Sequence, residues 1–161
     1  MTTAIPLQEF DQEMASTRRL LERIPGEQAA WKPHEKSFRL GHLTQLVARM
    51  PGWITMCLRE TRLDLTQGSG YSLEPTAVLL AEFDQNVQEA REALASVTGA
   101  DLEVPWSLTR GEQVLHTMKR GEVVRMNLNH LIHHRGQLTV YARLLDVPLP
   151  SIYGPTADEP W

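Results

Sequence analysis

The 161 residues include one cysteine, Cys57, so no internal disulfide can form and a four-cysteine zinc site is excluded. No apolar run approaches the roughly 18 to 20 residues that a membrane-spanning helix needs. The opening residues, Met1-Thr2-Thr3-Ala4-Ile5-Pro6, carry neither the basic stretch nor the apolar segment of a secretory leader. Positive charge is not in excess either. Sixteen Lys and Arg against twenty Asp and Glu leave a net charge of −4, the wrong sign for a protein that must displace counterions from phosphates. No dinucleotide fingerprint, Walker sequence or nucleophile-elbow motif occurs, and there is no internal repeat. These absences predict one compact soluble domain, residues 1–161, in the cytoplasm. They leave a small molecule as its partner, with neither nucleic acid nor membrane.

What is present is helical periodicity. In residues 7–24 the positions Leu7, Phe10, Met14, Thr17, Leu21 and Ile24 recur at steps of three and four, one face of a helix, which Pro25-Gly26 then ends. A second pattern over residues 39–59 carries Leu40, Leu43, Val47, Met50, Ile54 and Leu58, and Pro51-Gly52 predicts a kink or break within it. Residues 64–71 are turn-rich and predict an exposed loop, after which Ser72 and Pro75 resemble a helix start. Leu80, Phe83, Val87, Ala90, Leu94 and Val97 define a third helix closed by Gly99. Alternation on both sides of Arg110-Gly111 predicts a small β-hairpin over residues 104–118. A last helix over residues 122–145 precedes a proline-rich tail, residues 147–161, expected to run extended over the surface. The fold class is therefore all-α: a four-helix bundle with long crossover connections and a β-hairpin before the last helix.

Three of the six histidines lie within five residues of the last helix, at His130, His133 and His134. His130 and His134, at i and i+4, point the same way, so their nitrogens can meet one ion; imidazole suits Zn, Ni, Cu or Fe. Asn127, His130, His134, Gln137 and Tyr141 form a polar strip, which is costly on a packing helix unless its members pair or bind something. The competing reading is a wet histidine beside a hydrogen-bonded core histidine. A closed site needs a third ligand from another helix. His42 is the obvious donor; His116 lies in the hairpin, and His34 in a polar connector where it is solvated. His133 is a proton shuttle or a surface residue, and Tyr141 a substrate-orienting group or a packed ring with one bonded hydroxyl. Arg135 reads as an exposed salt bridge or a carboxylate clamp, Gly41 and Gly136 as points of close helix approach, and Cys57 as a small buried hydrophobe.

Residues 129–155, opening Asn129-His130-Leu131-Ile132-His133-His134-Arg135-Gly136-Gln137, closely resemble the C-terminal part of the DinB-like (YfiT-like) superfamily of metal-dependent enzymes. The resemblance extends to Trp31-Lys32-Pro33-His34-Glu35-Lys36-Ser37, to Met50-Pro51-Gly52-Trp53 and to Pro105-Trp106, nearly the whole chain. It implies a four-helix bundle, a divalent metal, nickel or zinc, held by three histidines, and a homodimer. Relatives include transferases that use a low-molecular-weight thiol and a maleylpyruvate isomerase, and most members have no assigned reaction. Carried over by position, His130 and His134 match two ligands. The family's second-helix histidine stands five residues before Pro-Gly-Trp, where this chain has Leu46. His42 lies one helical turn earlier, about 6 Å along the axis. Either it completes a displaced site with His130 and His134, or the third ligand is missing. The expected function is a metal-dependent transferase or hydrolase with His133 and Tyr141 assisting. The alternative is a non-catalytic dimeric binding or stress-response bundle.

Overall fold

The computed structural model describes residues 5–68 and 70–160. Its elements run α1 (Leu7–Leu21), α2 (Leu40–Arg59), β1 (Arg62–Asp64), α3 (Thr76–Ser96), α4 (Gly99–Glu103), β2 (Pro105–Arg110), β3 (Gln113–Lys119) and α5 (Arg120–Leu144), with short 3-10 turns at Gly26–Gln28 and Leu65–Gln67. The chain is mostly helical with one small three-stranded sheet. None of its described helices is long and apolar enough to cross a membrane.

The four long helices form because each carries an apolar stripe that must be covered. Phe10, Leu43, Ile54, Phe83 and Leu128 meet in one continuous core, each side chain contributing about 1.5 to 3 kcal/mol by leaving water. Side-chain pairs fix the helix directions. Arg18 binds Asp84 bidentately while Asp11 binds Arg91, so α1 and α3 run antiparallel. Arg49 binds Glu82 and Arg59 approaches Glu89, so α2 and α3 run parallel, and the segment of residues 60–75 returns the chain along the molecule. Asn127 of α5 reaches Cys57 of α2 while His130 lies beside Trp53, which makes those two antiparallel.

Several local expectations change. α2 is one uninterrupted helix although Pro51 sits inside it. Proline there removes a backbone donor at a cost of about 3 kcal/mol, but Met50 and Ile54 on either side are fully buried, and packing holds the helix together. Asn86 of α3 enters beside the proline and donates to Ala48 O at 3.3 Å. Gly52 permits this, since a Cβ there would lie 2.9 Å from Asn86 Oδ1. The expected loop over residues 64–71 instead starts as the end of strand β1, which pairs parallel with β2. Ser72 does not cap α3; its backbone N–H donates to Gln45 Oε1 and its hydroxyl accepts from Gln45 Nε2, and the helix begins at Thr76 after Pro75. Gly99 opens the short helix α4 rather than closing α3, with Thr98 as its cap.

The hairpin forms as expected, β2 antiparallel to β3, with Gly111 at φ +59° in its turn. Gly111 N–H donates to Asp64 Oδ1 at 2.9 Å, pinning the tip to β1. The tail lies over the surface, held by Arg23 on Glu159 and by Arg143 on Asp158.

Candidate functional site

The middle of α5 faces α2 with the polar strip that the sequence marks out. Its members do not act alike. Asn127 is buried and donates through Nδ2 to Cys57 Sγ at 3.2 Å, a packing role. His130 and His134 come together: their Nε2 atoms stand 2.8 Å apart and their ring centroids 4.5 Å apart. His134 Nδ1 lies 2.7 Å from Gln137 Oε1. A carbonyl oxygen only accepts, so His134 carries its proton on Nδ1, and its Nε2 lone pair is aimed at His130, which donates. An imidazole anchored at one nitrogen by an acceptor, with the other left basic, is how proteins prepare a metal ligand. The ring's partial burial, followed by the proximity of His134 and His133, holds the His130 pKa below its ordinary value.

His42, in the first turn of α2, occupies a different setting. Its ring stacks on Phe38 at a centroid distance of 4.2 Å and lies tilted against Tyr71 at 3.4 Å, and its Nε2 is buried without a hydrogen-bond partner among the described residues. Burial first, and His134 second, depress its pKa. Phe38 also lies 6.4 Å from the His134 ring, so the same aromatic contacts both imidazoles. Among the described residues no group of three His, Cys, Asp or Glu side chains is placed to hold a metal ion. The structure thus assembles His130 and His134 and leaves His42 apart from them. Of the donors that the resemblance implies, two stand as an oriented imidazole pair, and the third, His42 Nε2, is buried with no hydrogen-bond partner among the described residues but is not brought to that pair. Leu46, at the family's ligand position, is in the core.

The other candidates are placed as follows. His133 is exposed, its ring centroid 5.1 Å from that of His134. Tyr141 is a half-buried ring edge-on to Trp31 whose hydroxyl donates to Phe38 O at 3.3 Å, thereby bracing the segment that carries Phe38. His34 is exposed, as expected. Arg135 overturns its expectation: it is 1% exposed, paired with Glu13 at 2.7 Å and bonded to Glu13 O, Thr17 and Tyr153. It is a buried clamp between α1, α5 and the tail, out of reach of any substrate. Gly41 does allow a close approach, to Ala29, whereas a side chain at Gly136 would meet nothing.

Two clefts adjoin the histidines. One, of ≈320 Å³, is lined by Lys32, Phe38, Arg39, His42 and Tyr71. The other, of ≈300 Å³, is largely apolar and has His130 in its lining. Sequence reasoning missed Phe38 and Tyr71, which hold His42; the only available signal was a pair of aromatics in polar, loop-forming segments.

The comparisons agree with this architecture. The model of the DinB family matches residues 2–160. The uncharacterised protein YrdA of Bacillus subtilis strain 168 is 24% identical over 160 residues, covering 95% of this chain and 89% of that protein. Two crystal structures share the fold: a DinB-like protein, YjoA, from Bacillus subtilis, at a TM-score of 0.69 and 18% identity, and a DinB-like protein from Bacillus cereus ATCC 10987, at 0.70 and 21%. Each aligns over 91% of this chain and 95% of its own. With a family match that runs almost end to end, and a fold shared with these two structures, the chain belongs to the DinB family.

Proposed function

We propose that the chain is a metal-dependent enzyme acting on small molecules, built as a four-helix bundle, in which His130, His134 and His42 hold a divalent ion, zinc or nickel. The observation that carries this reading is the Gln137–His134–His130 chain, a pair of imidazoles 2.8 Å apart with one nitrogen already oriented. The unpartnered Nε2 of His42 supports it as the third donor, since a buried polar atom without a partner costs about 1 to 3 kcal/mol and calls for a reason. When bound, such an ion supplies Lewis acidity, which brings the pKa of a thiol or a water toward neutrality.

The chain's own groups then have definite work. Gln137 fixes the His134 tautomer. Exposed His133, its ring beside that of His134, serves as the proton shuttle. Lys32 and Arg39, beside His42, match the carboxylates of a low-molecular-weight thiol, which makes thiol transfer the favoured reaction class over hydrolysis. Val140 and Leu144, one turn apart on α5 and both 58% exposed, offer an apolar strip to a second copy in a homodimer.

A second reading has one observation in its favour. Leu46 is packed into the core where the family carries a ligand, and that suits a non-catalytic dimeric module with a degenerate centre. Metal analysis by mass spectrometry, on untagged protein dialysed against zinc or nickel, separates the two. Near-stoichiometric metal in the wild type, lost in His130→Ala and His42→Ala and weakened about tenfold or more in Gln137→Ala, is the outcome expected of the enzyme. No uptake by the wild type overturns it. Metal retained in His42→Ala removes that residue from the ligand set.

A further inference from the structure

The largely apolar cavity with His130 in its lining has no role in the reading so far. It lies between the sheet and the facing sides of α2 and α5. Cys57, Trp106 and Val123 make its buried floor, and exposed Leu65, His116 and Met126 stand at its rim. The floor offers no reactive group. Burial pushes the Cys57 thiol up to about 12, and Asn127 already donates to the sulfur. Its two imidazoles are His116, at the exposed rim, and His130, whose ring lies 6.0 Å from that of Trp53 and which pairs with His134.

The composition of the wall is selective. Met56, Met118 and Met126, half of the six methionines in the chain, line this one cavity together with Trp53 and Trp106, two of its four tryptophans. Thioethers and indole faces favour flat aromatic guests through sulfur–ring and ring–ring contacts, and flexible methionines adjust to their outline. A cavity of ≈300 Å³ is about twice the void of about 150 Å³ that accommodates benzene, so it suits a two-ring molecule. A mostly apolar pocket with a small number of placed polar groups is the usual form of a small-molecule site. Its concavity suits an enclosed guest better than the flat face of a second copy.

We propose that this cavity is the substrate pocket for a flat, largely apolar aromatic molecule of about ten to fifteen non-hydrogen atoms, its single polar group turned toward His130. The inference rests on the reading of His130 and His134 as the reacting end, yet occupancy of the cavity needs no ion, and that makes the two separable.

The test is a titration of the full-length, isotope-labelled protein with 2-naphthoate, followed by NMR, on metal-stripped and zinc-treated samples. The indole N–H signals of Trp53 and Trp106 are expected to shift saturably in both samples while that of Trp31 stays. Leu108→Trp, which fills the cavity, and Met126→Glu, which sets a carboxylate at its exposed rim, should each weaken binding by about tenfold or more. Should Leu108→Trp fail to fold, Met126→Glu still decides. Absence of saturable shifts overturns the proposal, as do shifts confined to Trp31 and the Lys32–Arg39 cleft, or affinities unchanged in every folded variant. It is equally overturned if the cavity signals move with protein concentration alone and Met126→Glu splits a dimer, for the occupant is then a second copy. Zinc uptake without naphthoate binding would sink the pocket and leave the metal centre standing; naphthoate binding without metal uptake would do the reverse.

Discussion

Removing the carboxylate of Glu13 is the most direct test of how α5 is held in place. Arg135 is almost completely buried, and Glu13 Oε2 lies 2.7 Å from its guanidinium. The same guanidinium donates to Glu13 O at 3.1 Å, to Thr17 Oγ1 at 3.2 Å and to the Tyr153 hydroxyl at 2.8 Å. Tyr153 in turn donates to the Glu13 carboxylate at 2.8 Å. Glu13→Ala therefore leaves a buried cation with neutral acceptors only. Breaking a buried pair from one side costs about 3 to 5 kcal/mol, because the remaining charge keeps its desolvation penalty. For a chain of this size each kcal/mol lowers Tm by about 2 to 4 °C, so the loss should be roughly 6 to 20 °C.

Tyr153→Phe removes one hydrogen-bonded hydroxyl and should cost only about 0.5 to 1.5 kcal/mol. Glu13→Leu combined with Arg135→Met, which removes both charges and keeps volume, should recover most of the stability lost in Glu13→Ala. Urea unfolding followed by circular dichroism, run as a double-mutant cycle on Glu13 and Arg135, gives the coupling energy. A Glu13→Ala loss below about 1 kcal/mol with coupling near zero would refute the argument, since a pair this buried cannot be severed cheaply.

Two further predictions follow from titratable groups. Asp158 and Glu159 both have lowered carboxyl pKa values, Asp158 chiefly through Arg143 and the Leu149 N–H, Glu159 chiefly through the Ser151 N–H and Arg23. Their stabilisation is present above the ordinary carboxylate values of 3.8 and 4.5 and is lost as pH falls through the lower folded values, so the hydrogen-exchange protection of Leu149 and Ser151, taken relative to the intrinsic rate at each pH, should fall in acid below about pH 4 before that of the core amides. Cys57, with its thiol raised to about 12, should resist thiol reagents at pH 8 in the native protein and react fully in urea; rapid labelling of the folded protein would contradict its burial.

The helical part of the fold was legible because each long helix buries one face, and Phe10, Met14, Leu43, Met50, Phe83, Leu94 and Leu128 stand at the spacings that burial requires. What was not legible depends on contacts distant in sequence. The continuity of α2 through Pro51 is decided by packing on α3 and α5, which local propensity does not encode. Strand β1 has three residues and exists only because β2, more than forty positions later, accepts it in parallel. Arg135 looked exposed because its partner Glu13 stands 122 positions away. His130 and His134 were found because their spacing is local; the Phe38 and Tyr71 rings that hold His42 were not, since three segments must converge to form that stack.

The position of His42 also bears on why a centre could be displaced rather than lost. Leu46 fills the core at the position where the resemblance implies a ligand, so on the reading proposed above an ion bound by His130 and His134 would find its next imidazole nearer the start of α2. His42 sits in the first turn of that helix, where the Leu40 and Gly41 N–H groups are bonded to Trp31 O and Ala29 O. Burial first and His134 second depress its pKa. Lys32 and Arg39 add positive charge on the same side. A centre shifted by one turn would therefore gain an electropositive rim for an anionic co-substrate. It would also leave the apolar cavity lined by His130 free for the uncharged body of a second molecule.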